Sequence, residues 1–191
     1  MGNYTVIAEA GEAMAALLRR CMVPEVVQKE EQIGLCYPKE PGEYRVGIYL
    51  YDIQESIGVR NTPRKRIEEE QMRFPSTYLD LYYMLIPFSK SDLKYRAAEE
   101  QRMLGKMLQT LRDYPNLNLN TYESEGKSGP NTIQVELLDI ACEDKLRIWN
   151  GLNEASRTAL YCKASPVELE SNHREKITRV REIQMQFEER G

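Results

Sequence analysis

The segment Thr77–Phe88 sets the strongest constraint on what this chain can become. It is apolar at almost every position: alternation puts Leu79, Leu81, Tyr83 and Leu85 on one side and Tyr78, Asp80, Tyr82, Met84 and Ile86 on the other. A strand that is apolar on both sides is expected to be central in a sheet, or covered on both faces. Asp80 interrupts the tract, and no run reaches the roughly 18 apolar residues of a membrane span. The cover is therefore expected from a neighbouring subunit or from the rest of the chain. Its 191 residues suggest one domain, with two small ones as the weaker alternative. A chain of this size buries about 70% of its unfolded surface, enough for a real core.

The flanking segments supply candidate layers. Val6, Ile7, Ala10, Met14, Leu17, Leu18 and Cys21 recur at helical spacing before Pro24. Ile33–Tyr37 and Tyr44–Ile53 read as strands separated by a Pro41-Gly42 turn. Ser91 and Asp92 are candidate caps of a helix running through Arg112, with a stripe of Ala97, Leu104, Met107, Leu108 and Leu111. Residues 116–130 read as a loop or weak hairpin, followed by a half-buried strand of Ile133, Val135 and Leu137. Cys142–Leu152 predicts a short helix bearing Leu146 and Trp149; Thr158–Lys163 predicts a last strand that Pro166–Leu169 extends. The order α-β-β-β-α-β-α-β-α implies a mixed α/β, α+β domain. We expect one twisted, mainly antiparallel sheet of about five strands with packed helices.

Chemistry-bearing motifs do not emerge. There are 26 Lys and Arg against 30 Asp and Glu, a net charge of −4, which argues against a generic polyanion binder. No nucleic-acid partner is expected. The four cysteines have no CxxC spacing and there is one histidine, His173, so reduced buried thiols are expected rather than zinc. No phosphate-binding glycine loop, GxSxG or HExxH occurs, and the N-terminus does not read as a signal peptide. No catalytic, cofactor or metal residues are expected, and no enzyme.

The skew lies in the tyrosines: 12, against three Phe and one Trp. Tyr49, Tyr51, Tyr78 and Tyr82 fall opposite the aliphatic stripes of their strands. Tyrosine suits a surface dry on one side and wet on the other. These four are expected to line a face packed by helices or by a neighbouring subunit.

Residues 54–76 are polar and read as a long loop with opposite charges in adjacent blocks: Arg60, Asn61, Arg64, Lys65 and Arg66, then Glu68, Glu69 and Glu70. A loop of this length is either a solvated excursion or a functional segment that orders against another chain. Residues 171–191 form a charged tail, in which Ile177, Val180, Ile183 and Phe187 have helical spacing over Asn172–Arg190. The expected organisation is a domain over 1–170 with a C-terminal helix or tail over 171–191.

Several strings resemble the tail-terminator, or tube-cap, family of phage-tail-like contractile injection systems of the antifeeding-prophage and virulence-cassette type. They are Ile7–Met14 into Leu17-Leu18, Ile48–Ile53, Arg60-Asn61, and Pro75 with Leu79–Leu85. Ala98–Gln101 with Leu104-Gly105, Trp149 with Leu152, and Tyr161 before Ser165-Pro166-Val167 complete the series. Their order covers most of residues 5–170. Ile86-Pro87-Phe88 departs from the Thr-rich exit usual in the family, and 171–191 lies outside the resemblance.

The resemblance implies a structural assembly protein. It would form a homohexameric ring on the distal end of the inner tube, terminating tube growth and anchoring the last sheath layer. The implied partners are other copies of itself, the tube protein and the sheath protein, within a particle assembled in the cytoplasm. The alternative is an adaptor for cargo or membrane anchoring of the same machine. An arm of the sheath subunit could join an exposed sheet edge. The charges of 60–70 would register the assembly more than strengthen it.

Overall fold

The computed structural model of the chain describes residues 4–56, 65–68, 71–119 and 132–176, with backbone alone at 65–68, 71–73 and 174–176. In chain order the elements are α1 (Val6–Met22), β1 (Ile33–Leu35), β2 (Val46–Glu55), β3 (Lys65–Glu68), β4 (Gln71–Arg73), β5 (Thr77–Pro87), α2 (Leu93–Asp113), β6 (Asn116–Asn118), β7 (Thr132–Leu137), α3 (Cys142–Gly151), β8 (Leu160–Leu169) and β9 (Arg174–Lys176).

Six strands form the main sheet in the order β1-β2-β5-β8-β7-β6. Only β1 and β2 run parallel; the other neighbours are antiparallel. The doubly apolar β5 is central, as its sequence requires. The fold is α+β, with one strand more in this sheet than expected because Asn116–Asn118 pairs with β7.

The two faces of β5 organise two cores. Leu79, Leu81, Tyr83 and Leu85 pack with Val46, Ile48, Ile133, Val135 and Cys162 beneath α1 and α2. Met14, Leu18 and Met22 of α1 and Met103 and Met107 of α2 close this layer and are fully buried. On the opposite face Met84, Ile86, Phe88 and Tyr161 pack beneath Trp149 of α3. Two irregularities adjust the alternation. Leu50 opposes Tyr83 and Asp52 opposes Tyr82, which makes Tyr51 the extra residue of a bulge. In β8 a similar shift falls between Ala164 and Val167, opposite Leu81 and Leu79. It keeps both Ala164 and Val167 in the first core.

Four expectations need correction. The predicted loop over 54–76 contains β3 and β4, a hairpin whose strands carry no apolar alternation to announce them. β4 also pairs with β9, giving a second, three-stranded sheet in the order β3-β4-β9. Arg174–Lys176 is therefore extended, where a helix over Asn172–Arg190 was expected; residues 177–190 lie outside the described residues. The stripe of α2 is shifted: Ala97 and Leu108 are exposed, whereas Met103 and Thr110 are buried. Leu146 and Cys142 on α3 are exposed as well, because this short helix turns mainly Trp149 towards the sheet.

Candidate assembly surface

The second face of the main sheet is only half covered by α3. Beyond Trp149 the strands present polar and aromatic side chains. The Tyr51 ring lies 6.1 Å from Tyr82 and 5.9 Å, edge-on, from Tyr161; Tyr37 meets Tyr49 at 5.6 Å. Tyr49, Tyr51, Tyr78 and Tyr82 are all half-buried in the chain. The Tyr82 hydroxyl donates to Gln54 Oε1 at 3.3 Å, and Gln54 Nε2 donates to Asp52 Oδ2 at 2.7 Å. Ser165 Oγ donates to Asp80. Cross-strand register places Asp52 opposite Tyr82 and Gln54 opposite Asp80, so these four residues and Tyr51 form one patch.

Burial pushes the Tyr51 phenol up to about 12, with smaller contributions from Cys162, Tyr161, Asp52 and Tyr82. The Tyr51 ring therefore stays neutral and acts as amphipathic contact surface, not as an acid or base. Tyr161 is raised by burial too; the Trp149 indole approaches closely enough to oppose part of that shift. The approach falls outside hydrogen-bond geometry, and Trp149 Nε1 and Tyr161 Oη have no hydrogen-bond partner.

The first two turns of α2 form a second surface. Every residue from Asp92 to Ala98 is exposed, including Leu93 at 81% and Tyr95 at 58%. This end is held down by Glu99, which pairs with Arg45 and accepts hydrogen bonds from Ser89 and Ser91, the latter at 2.7 Å. Burial alone would raise the Glu99 carboxyl; the two serines and the Arg45 guanidinium outweigh it and hold it below the ordinary carboxylate value.

Of the charged residues singled out in the sequence, Lys65, Arg66 and Glu68 lie on β3, an edge of the small sheet. Arg60, Asn61, Arg64, Glu69 and Glu70 lie outside the described residues. His173 is exposed, with its ring edge-on to Phe74 at 4.5 Å. A cleft of about 270 Å³ runs between α3 and the start of β8, lined by Cys142, Lys145, Ser156, Arg157 and Tyr161. Lys145 sits over the Tyr161 ring and Arg157 over Phe88, so both cations rest on aromatic faces. Among the described residues no three His, Cys, Asp or Glu side chains are grouped to hold a metal. No helix there is long and apolar enough to cross a membrane. Sequence reasoning missed Leu93, Tyr95 and Arg96. Tyr95 falls off the apolar stripe of its helix, which was the available signal; Leu93 stands in register with Ala97, Leu104 and Leu111 and gave none.

The fold as a whole is similar to that of tube-terminating proteins of contractile injection systems. It matches the sheath/tube terminator of the PVC extracellular contractile injection system in its extended state. The TM-score is 0.68 at 15% identity, covering 96% of this chain and 64% of that one. It also matches the tube-terminating cap of the anti-feeding prophage, with a TM-score of 0.64 at 18% identity over 93% of this chain and 60% of that one. Both are tube-terminating components of their particles.

The sequence itself matches the Pvc16 N-terminal domain over residues 9–182, and the chain belongs to that family. The match runs past residue 170 into the segment that contains β9. The chain spans about three-fifths of the length of the terminators it resembles. No curated protein matches the sequence significantly.

Proposed function

We propose that this chain is a structural subunit that closes the distal end of the inner tube in a contractile injection particle. The observation that carries the reading is the terminator fold, shared over more than nine-tenths of the chain. In this reading copies of the chain form a ring, by expectation six-fold, with one side on the last tube layer and the other unable to template a further layer. The tube and sheath proteins are its partners, and the ring anchors the last sheath layer. The charges of Arg60, Asn61, Arg64, Lys65 and Arg66, followed by Glu68–Glu70, register the ring during assembly.

The sheet edges favour one route for a sheath arm. Ile33 O, on the side of β1 away from β2, accepts hydrogen bonds from both Nε and Nη2 of Arg19, at 2.9 and 2.7 Å. That edge is occupied. At the other end Val135 N donates to Pro115 O, so Leu117 turns its backbone towards β7, and Asn116 and Asn118 turn theirs outward. An extended arm would add there.

Imaging of particles assembled without this chain tests the proposal. Overlong or ragged tubes are expected. Tubes of normal length that fail only at attachment would replace it with the adaptor reading. Deleting residues 60–70 should disturb tube length or sheath attachment; normal particles would remove the role of that segment.

A further inference from the structure

We propose that the projecting start of α2 seats on the tyrosine–carboxylate patch of a second copy of this chain, so that the ring is built head to tail through these two surfaces. The inference rests on the ring reading above and specifies its contact.

The two surfaces are complementary in chemistry. The helix end offers two apolar side chains, Leu93 and Tyr95, beside two cations, Lys94 and Arg96. Among the described residues neither cation has a carboxylate partner within ion-pair distance; Lys94 sits over the neighbouring Tyr95 ring at 5.4 Å. No acid stands in the first turn of the helix, where the backbone dipole is itself positive, and the N-cap Asp92 makes no side-chain capping bond. Lys94, Arg96 and the helix dipole thus face Asp92 and, one turn on from Arg96, Glu100, which accepts from Ser89 N.

The sheet patch is its counterpart. Asp52 and Asp80 are bonded to neutral Gln54 and Ser165 and, among the described residues, are in no ion pair. They flank Tyr51 and Tyr82, whose half-exposed rings can take an arginine plane or an apolar side chain. Lys163 of β8, opposite Tyr82, is already taken by Glu136 of β7 at 3.3 Å.

Placement makes the contact intermolecular. The start of α2 is anchored by Arg45 and Ser89, at the end of the sheet where Val46 opposes Pro87. The helix then packs on the Leu81–Tyr83–Leu85 face. Asp52 and Gln54 lie six and eight residues further along β2, about 20–26 Å at the ordinary strand rise, and on the other face. No chain can place its own helix end on its own patch. A contact between two different surfaces repeats from copy to copy and closes only as a ring.

Cysteine pairing tests this in the full chain, both alone at high concentration and in assembled particles. In a Cys142→Ser background, Tyr95→Cys together with Gln54→Cys should give a ladder of linked copies on oxidation. Either substitution alone should give none, because like surfaces do not meet. As an independent readout, Arg96→Glu should weaken self-association about tenfold, and adding Asp52→Lys should restore it. Dimers from a single cysteine, or rings that form normally while the double variant stays unlinked, would overturn this contact and leave the ring reading intact. Wild-type chain that stays monomeric in the particle would remove the ring reading and this contact with it.

Discussion

The Arg45 guanidinium pairs with the Glu99 carboxylate across 54 residues of sequence, fastening the start of β2 to the second turn of α2. Both side chains are largely shielded, at 18% and 25% exposure; the contact is made by Arg45 Nη2, and Arg45 Nε has no hydrogen-bond partner. Glu99→Gln leaves that guanidinium poorly compensated and should cost about 1–3 kcal/mol. The pair also makes stability depend on pH. The folded-state pKa of Glu99 lies below its ordinary 4.5. Its contribution is therefore complete above that value and disappears as pH falls through the folded-state pKa. Urea denaturation at neutral pH and at about pH 3 should show wild type losing more stability on acidification than Glu99→Gln. Equal losses would show that Glu99 contributes nothing.

Two glycines should respond to alanine with opposite signs. A Cβ on Gly47 would lie 2.5 Å from Cys36 Sγ and 2.7 Å from the Phe88 ring, in a packed part of the sheet. Gly47→Ala should destabilise by about 1–3 kcal/mol. A Cβ on Gly105, on the exposed side of α2, meets nothing within 4 Å. Gly105→Ala should stabilise by about 0.5–1 kcal/mol through helix propensity and a less flexible unfolded chain. Thermal or urea unfolding of the two variants decides both signs.

What could be read from sequence follows where the energy lies. β5 is legible because both faces carry core residues, and the alternation of Leu79, Leu81, Tyr83 and Leu85 against Met84 and Ile86 matches the two cores one for one. α1 is legible for the same reason. The hairpin of β3 and β4 is not, because Lys-Arg-Ile-Glu and Gln-Met-Arg are held as strands by backbone pairing and leave no periodic trace. The start of α2 misleads because Ala97 falls in register with Leu104 and Leu111, yet the helix leaves the sheet before that turn can be buried. The assembly surface is the least legible part. Asp52, Asp80, Tyr51 and Tyr82 come from two strands, and a bulge at Tyr51 decides which of them share a face.

The thiols should separate by accessibility. Cys162 is fully buried, and burial pushes it up to about 12; Cys36 is half-buried and pushed up to about 11. Cys142 is exposed on α3. Because the thiolate is the reacting form, a maleimide at neutral pH should label Cys142 first and Cys162 only after denaturation. Mass mapping of the labelled peptides checks the order. Early labelling of Cys162 would mean that the sheet opens on that timescale.

Arg19 carries the last prediction, because it joins stability to edge protection. Its two hydrogen bonds to Ile33 O tie α1 to β1 and occupy an outward carbonyl of an edge strand. Arg19→Ala removes both and should cost about 1–2 kcal/mol. It also leaves a free edge beside Leu35, which is 36% exposed, and an open edge with apolar side chains templates non-native pairing. The variant should therefore show concentration-dependent scattering at a temperature where wild type remains clear. Arg19→Lys keeps a donor within reach of the same carbonyl and should suppress the scattering while recovering only part of the stability. If Arg19→Ala is destabilised but no more prone to associate than wild type, the guanidinium serves packing alone and the β1 edge is guarded by something else.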